Sequence, residues 1–359
     1  MQDHTIKKEN NTEFSGHVYM FFAFDIGEEI NFNSIKNDHS IQTSKSHQSK
    51  FIKNYHTPLQ IELPHPHDSG RCIDSKLHNF GVISLTYQVP IESSLHDMKS
   101  ELVELDEKYQ EQSVIDANSI FKKIKNHTIN PHFFHLRNYY TVIQIDTKEN
   151  IKGSDIQKAY GPEIASLLRF ETESLSEGQR QSVLNQEMGY FSQDLIIIDS
   201  EAAFVYDQQY EDILIFFELG NIQHLELQYF DSLLDKQLTH LYEQRSISLP
   251  LFSYLPFIGQ RYFDPLGDLN RLQVDISVIT ERFETGIKII GEPFFANIYE
   301  QLTKKLDLQK WKDSIEKKYS IIKEIKHFYQ DKVDTNRGDV LSLLIIVLIT
   351  IELLVALYK

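Results

Sequence analysis

DLIIIDSEAAFVYD, residues 194–207, sets two apolar runs on either side of Ser200 and Glu201. Short aliphatic and aromatic runs flanking a polar pair predict a β-hairpin. Asp194, Asp199 and Asp207 bracket it. Toward the N-terminus, YYTVIQID (Tyr139–Asp146) and FGVISLTYQV (Phe80–Val89) read as further strands, with Pro90 beginning the exit from the second. HVYMFFAFDI (His17–Ile26) is too short for a bilayer and rich in aromatics, so it reads as a buried strand, with a short helix following around Ile30–Ile35.

Helical patterns alternate with these strands. Ile91, Leu95, Met98, Leu102 and Leu105 step by three and four, which predicts an amphipathic helix. A weaker helical stretch spans Val114–Lys125, and Gly153–Phe170 reads as a third. Strand, helix, strand, helix in this order predicts an α+β layer with helices packed against one mixed sheet. The sheet domain is expected over 14–207, after a flexible start at 1–13. A long loop is expected at 36–79, where Ser, His, Asn and Pro crowd out any periodicity.

Beyond Asp207 the pattern becomes helical. Apolar residues from Ile213 to Leu241 predict a helix over Glu211–Gln244, with Gly220 and Asn221 as a break or bend. Helices are also expected over Asp268–Ile290, Glu292–Leu306 and Leu308–Gln330, as a long antiparallel arm or bundle across 208–336. Gly291–Glu292–Pro293 ends one helix and starts the next, with Pro293 in the first turn. A hinge is the other reading of that step.

The whole chain has 36 Lys and Arg against 52 Asp and Glu, a net charge of -16, so direct nucleic-acid binding is not expected. One cysteine, Cys72, excludes an internal disulfide. The start lacks the apolar core of a secretory signal. Val340–Tyr358, by contrast, is apolar apart from Ser342, Thr350 and Glu352. As a helix it would run roughly 28 Å, close to a bilayer's hydrocarbon thickness, which predicts a single C-terminal transmembrane anchor. Eight lysines between Lys304 and Lys326 against four acids favour a cytoplasm-facing body, at a bacterial inner membrane. The competing reading is a soluble oligomer that buries this helix. Glu352 reaches an interface, stays protonated or pairs with a neighbouring helix, and it shares one helical face with Ile345 and Ile349.

Several segments together resemble the RMD1/RMND1 (DUF155) family, most closely its uncharacterised bacterial members. They are the hairpin Asp194–Asp207, LELQYFDSLLD (Leu225–Asp235), KIIGEPFFANIY (Lys288–Tyr299), the helix around Trp311, and RGDVLSLLIIVLITIEL (Arg337–Leu353). Asp339, Ser342 and Glu292 depart from the family's acidic pattern. The resemblance implies a membrane-anchored protein and carries no chemistry with it.

The chain contains no phosphate-loop, dinucleotide, zinc-protease or nucleophile-elbow motif. The pairs His65/His67 and His132/His135 have metal-ligand spacing but no further ligands nearby, so no metal and no cofactor are expected. The hairpin carboxylates suit strand ends better than a paired-acid hydrolase. On the long helix, Glu226, Asp231 and Asp235 need basic partners, with Arg245, Arg261, Arg271 and Arg282 as candidates. The sequence therefore reads as a non-enzymatic, membrane-anchored organising protein that self-associates through its arm or terminal helix and binds an unknown protein partner. An enzyme with a pocket between sheet domain and arm, acting on a nucleotide, lipid or small metabolite, is the rival reading.

Overall fold

The computed structural model describes residues 12–45, 57–64, 71–133, 137–149, 151–185, 187–244, 274 and 292–358. Its strands are β1 (Glu13–Asp25), β2 (Glu29–Ile30), β3 (Thr43–Lys45), β4 (Leu59–Ile61), β5 (Cys72–His78), β6 (Val82–Ser94), β7 (Thr128–Ile129), β8 (Arg137–Ile145), β9 (Glu187–Met188), β10 (Leu195–Ile198) and β11 (Ala202–Tyr206). Its helices are α1 (Phe32–Asn37), α2 (Met98–Ile124), α3 (Gly153–Leu167), α4 (Glu177–Leu184), α5 (Glu211–Gln244), α6 (Pro293–Lys305) and α7 (Leu308–Leu357). The α+β class, the long helices and one apolar C-terminal helix are all present. The chain divides into a first unit of 1–227 with 283–309 and a second of 228–282 with 310–359.

In the first unit one sheet runs β3-β4-β5-β6-β1-β8-β11-β10-β9, and β2 pairs separately with β7. All pairings in the large sheet are antiparallel except β11 beside β8, so the sheet is mixed. The predicted hairpin forms with Leu195 opposite Tyr206. Strand alternation sends Val18, Met20, Phe22 and Phe24 into the main apolar core with Leu85, Ile143 and Phe204, where α2 and α3 pack. The intervening residues face α5. Ala23 and Val82 meet Ile222 and Leu225 there, and Tyr140 stacks on Phe217.

Several elements differ from the sequence reading. Three strands, β3, β4 and β5, lie inside the stretch expected to be a long loop. β6 continues past Pro90 to Ser94, because β5 stops short of this part of the strand. Gln88 N–H still reaches the Arg71 carbonyl at 2.8 Å, and Pro90 lies opposite His17 of β1, with no strand among the described residues on its other edge. Ile91 and Leu95 therefore precede α2 instead of opening it, and the rest of the helix expected from Ile91 merges with the one expected over Val114–Lys125 into a single helix, Met98–Ile124. Ser94 Oγ accepts the Asp97 N–H (3.2 Å) at the turn where α2 begins.

Helix α5 has the expected bounds but does not break at Gly220–Asn221. Gly220 instead leaves room for α6: a Cβ there would fall 2.5 Å from Leu302 Cδ2. Asn221 Nδ2 donates to the Phe21 and Asn138 carbonyls (3.0 and 3.4 Å), tying α5 to β1 and β8. Pro293 opens α6, where a missing N–H costs nothing. Gly291 and, apart from Val274, the stretch Asp268–Ile290 lie outside the described residues.

In the second unit, Lys318 on α7 bridges Asp231 and Asp235 on α5 at 2.8 and 2.7 Å, and Ser314 Oγ donates to Asp231 at 2.8 Å. The four arginines expected as partners lie outside the described residues. Helix α7 is continuous to Leu357. Its segment Gly338–Leu357 is long and apolar enough to cross a membrane, and it is not buried. The expectation of a bilayer anchor, and of a body held at an inner membrane, is corrected here. The helix is exposed to solvent rather than embedded, and length and composition alone do not separate a span from a helix covered by protein.

Candidate functional site

The richest polar cluster lies on the α5-facing side of the sheet. β5 presents Asp74, Lys76 and His78, β6 presents Ser84, and α5 lowers Glu218 onto them. Lys76 Nζ sits 2.7 Å from Glu218 Oε2 and 2.8 Å from Asp74 Oδ2. Ser84 Oγ donates to Glu218 Oε1 at 2.9 Å, and His78 Nε2 lies 2.9 Å from the same Oγ. His78, Ser84 and Glu218 are all buried. Burial pushes the His78 imidazole down to about 4. Burial works against the Glu218 charge as well, but the Lys76 ammonium outweighs it and holds the carboxyl below its ordinary range.

Serine, histidine and a carboxylate in contact invite comparison with a nucleophilic triad, and the order of the bonds decides against it. Such a triad needs histidine between serine and acid, accepting the hydroxyl proton. Here serine is the middle member. Its one proton goes to Glu218, so His78 must donate to Ser84 rather than accept from it. The arrangement ties two strands to a helix through ion pairs and hydrogen bonds, and its order does not draw the serine proton toward the histidine.

A second ionic cluster lies at the hairpin. Asp199, 1% exposed, is 2.6 Å from Arg169 Nε and 3.2 Å from Lys305 Nζ, which also donates to the Ser182 carbonyl. Thus α3's end, the hairpin turn and α6 share one carboxylate. Tyr140 Oη donates to the Asp199 carbonyl at 2.8 Å. Tyr140→Phe keeps the stacking on Phe217 and removes only this bond, so unfolding free energy should fall by about 1 kcal/mol in urea titrations.

The other sequence-derived candidates scatter. Asp194 Oδ2 accepts the Phe191 N–H, and Asp207 Oδ1 accepts the Gln209 N–H, both at 2.7 Å. Glu226 is buried on α5. Asp231 belongs to the Lys318 bridge. Glu352, Ile345 and Ile349 are exposed on α7. Arg337 falls within α7, but its side chain is outside the described residues. Cys72 is buried, and burial pushes its thiol up to about 12, far from a reactive thiolate. His132 pairs with Asp25 at 2.5 Å, while His65, His67 and His135 lie outside the described residues. Among the described residues no three His, Cys, Asp or Glu gather as a metal site. Lys76, His78, Ser84, Glu218, Arg169 and Lys305 were not singled out from sequence. Only Glu218 carried a signal there, as a lone carboxylate inside the apolar run ILIFFELG (Ile213–Gly220).

Comparison with known proteins replaces the resemblance drawn from the C-terminal half. The family described as "Uncharacterized protein MJ0711, N-terminal domain" matches residues 15–212. The uncharacterized protein MJ0711 of Methanocaldococcus jannaschii is 25% identical over 199 residues, which is 55% of this chain and 59% of that protein. The match thus spans less than two thirds of the relative's length. No solved structure matches. No relationship to the RMD1/RMND1 (DUF155) family is shown. Among the segments that carried that resemblance, the hairpin is buried and Leu225–Asp235 lies on α5, where packing in the fold accounts for much of the apolar spacing. With it falls the reading as a membrane-anchored organising protein. Through the sheet domain at residues 15–212, the chain belongs to the family of the MJ0711 N-terminal domain.

Proposed function

We propose that this protein works by self-association, as a soluble oligomer in which further copies cover its C-terminal helix, and that it has no chemistry of its own. One observation carries the reading. Ile345, Ile346, Leu348, Ile349, Leu353 and Leu354 are each more than half exposed along one uninterrupted helix. Contiguous apolar surface of this length is expected to be covered by protein in water. The ion pairs of Lys318 on α7 with Asp231 and Asp235 on α5 within one chain are consistent with helix pairing in this part of the molecule. The closed order of His78, Ser84 and Glu218 supports a role without catalysis.

Sedimentation velocity on the full chain tests it. The wild type should run as a dimer or larger, and Ile345→Lys/Ile349→Lys as a monomer, because two ammonium groups at a covered face lose their hydration. A wild-type monomer in detergent-free buffer would overturn the proposal. So would flotation of monomers with phosphatidylcholine vesicles.

A further inference from the structure

We infer that two copies of α7 pair antiparallel over Gly338–Leu357, each copy's Ser342 donating a hydrogen bond to the other's Glu352. This rests on the self-association just proposed and adds the direction and register of the pairing.

The seam comes from helix geometry. Gly338, Ser342, Ile345, Ile349, Glu352 and Ala356 follow one another at steps of four, three, four, three and four. At about 100° per residue, these steps keep all six within a narrow stripe. All six are exposed. The spacing is symmetric about the centre of the stripe. Reversing one copy sets Gly338 opposite Ala356, Ser342 opposite Glu352, and Ile345 opposite Ile349. Small residues meet at both ends, isoleucines fill the middle, and each carboxylate meets a hydroxyl donor.

The parallel alternative fails on charge. It sets Glu352 against Glu352 inside a low-dielectric contact, where like charges repel and lack donors, and brings the two Asp339 side chains to the same level just outside the seam. Reversal moves the two Glu352 side chains about 15 Å apart along the axis, and the two Asp339 side chains about 24 Å, by the rise of 1.5 Å per residue. Both separations exceed the screening length of about 8 Å at physiological salt. The apolar surface covered is similar in either direction, so electrostatics and the Ser342–Glu352 pairs decide.

Disulfide trapping in the full chain reads the direction. Gly338→Cys is tolerated sterically, since a Cβ there meets nothing within 4 Å. The buried Cys72, with its thiol pushed up, does not compete. Gly338→Cys protein mixed with Ala356→Cys protein should give the mixed disulfide on mild oxidation. Either protein alone should give none, because reversal holds identical positions about 27 Å apart. Ser342→Ala should weaken the dimer at least about tenfold by removing the donor to a carboxylate. A dimer that instead forms the 338–338 disulfide, or forms no mixed disulfide, overturns the antiparallel register and leaves self-association standing. A wild-type monomer overturns both.

Discussion

Lys76→Met should lower the unfolding free energy by about 3–5 kcal/mol, because it leaves Glu218 buried without its cation. Lys76 supplies two contacts at once, to Glu218 and to Asp74. Its own charge is favoured: burial pulls the ammonium down, but the two carboxylates outweigh that and hold it above the ordinary lysine value. Methionine matches the length of the stem and supplies no proton. Glu218 would then keep the Ser84 hydroxyl but lose the cation that offsets its burial beneath the helix. The double variant Lys76→Met/Glu218→Gln removes the stranded charge while keeping an acceptor for Ser84, so it should lose clearly less than the single variant. Urea midpoints followed by tryptophan fluorescence and by circular dichroism would measure both. Equal losses in the two variants would show that the charge is not what Lys76 balances.

This network also explains which parts of the fold were legible in the sequence. The hairpin was readable because Leu195–Ile198 and Ala202–Tyr206 are buried on both faces, and a doubly buried strand shows as a plain apolar run. β5 was not. Its α5-facing positions are Asp74, Lys76 and His78, so CIDSKLH shows no apolar alternation although it is a full member of the sheet. The same polarity that hid the strand forms the cluster beneath α5, and one cause therefore hid both fold and site. Gly220 misled for a related reason. Its meaning lies in Leu302, eighty-two positions away in sequence, and local punctuation rules read it as a break. Glu352 carried a clear signal of unusual placement. The face around it is exposed on α7, and the proposed pairing covers it with a second copy.

Stability should fall as pH drops from about 6.5 to about 4, and His78 should account for a measurable share of the slope. Its imidazole faces Ser84, with the Glu218 carboxylate favouring its proton and the Lys76 ammonium opposing it; burial dominates and keeps it neutral. In the unfolded chain the same ring takes up a proton near 6.5, while in the native state it does not until about 4. Between those values the unfolded state binds more protons, so stability rises with pH. The contribution is fully present above the unfolded value and is lost as pH falls toward 4. At about 1.4 kcal/mol per pH unit for one proton, the window amounts to about 3 kcal/mol. His224 is likewise pushed down to about 4 by burial, against the pull of Asp307, and adds in the same direction. His132 acts oppositely: its hydrogen bond to Asp25 raises it, so its stabilisation is present at low pH and lost as pH rises through its folded value. The raw slope is therefore a sum of opposing terms, and the informative quantity is the difference between wild type and His78→Gln. Glutamine retains a donor for Ser84 and cannot titrate. Urea unfolding between pH 4.5 and 7 should give a shallower dependence for the variant by about 1.4 kcal/mol per unit below pH 6. Parallel curves for the two proteins would mean that His78 is protonated in the native state, and that Ser84 is oriented by something other than a neutral imidazole.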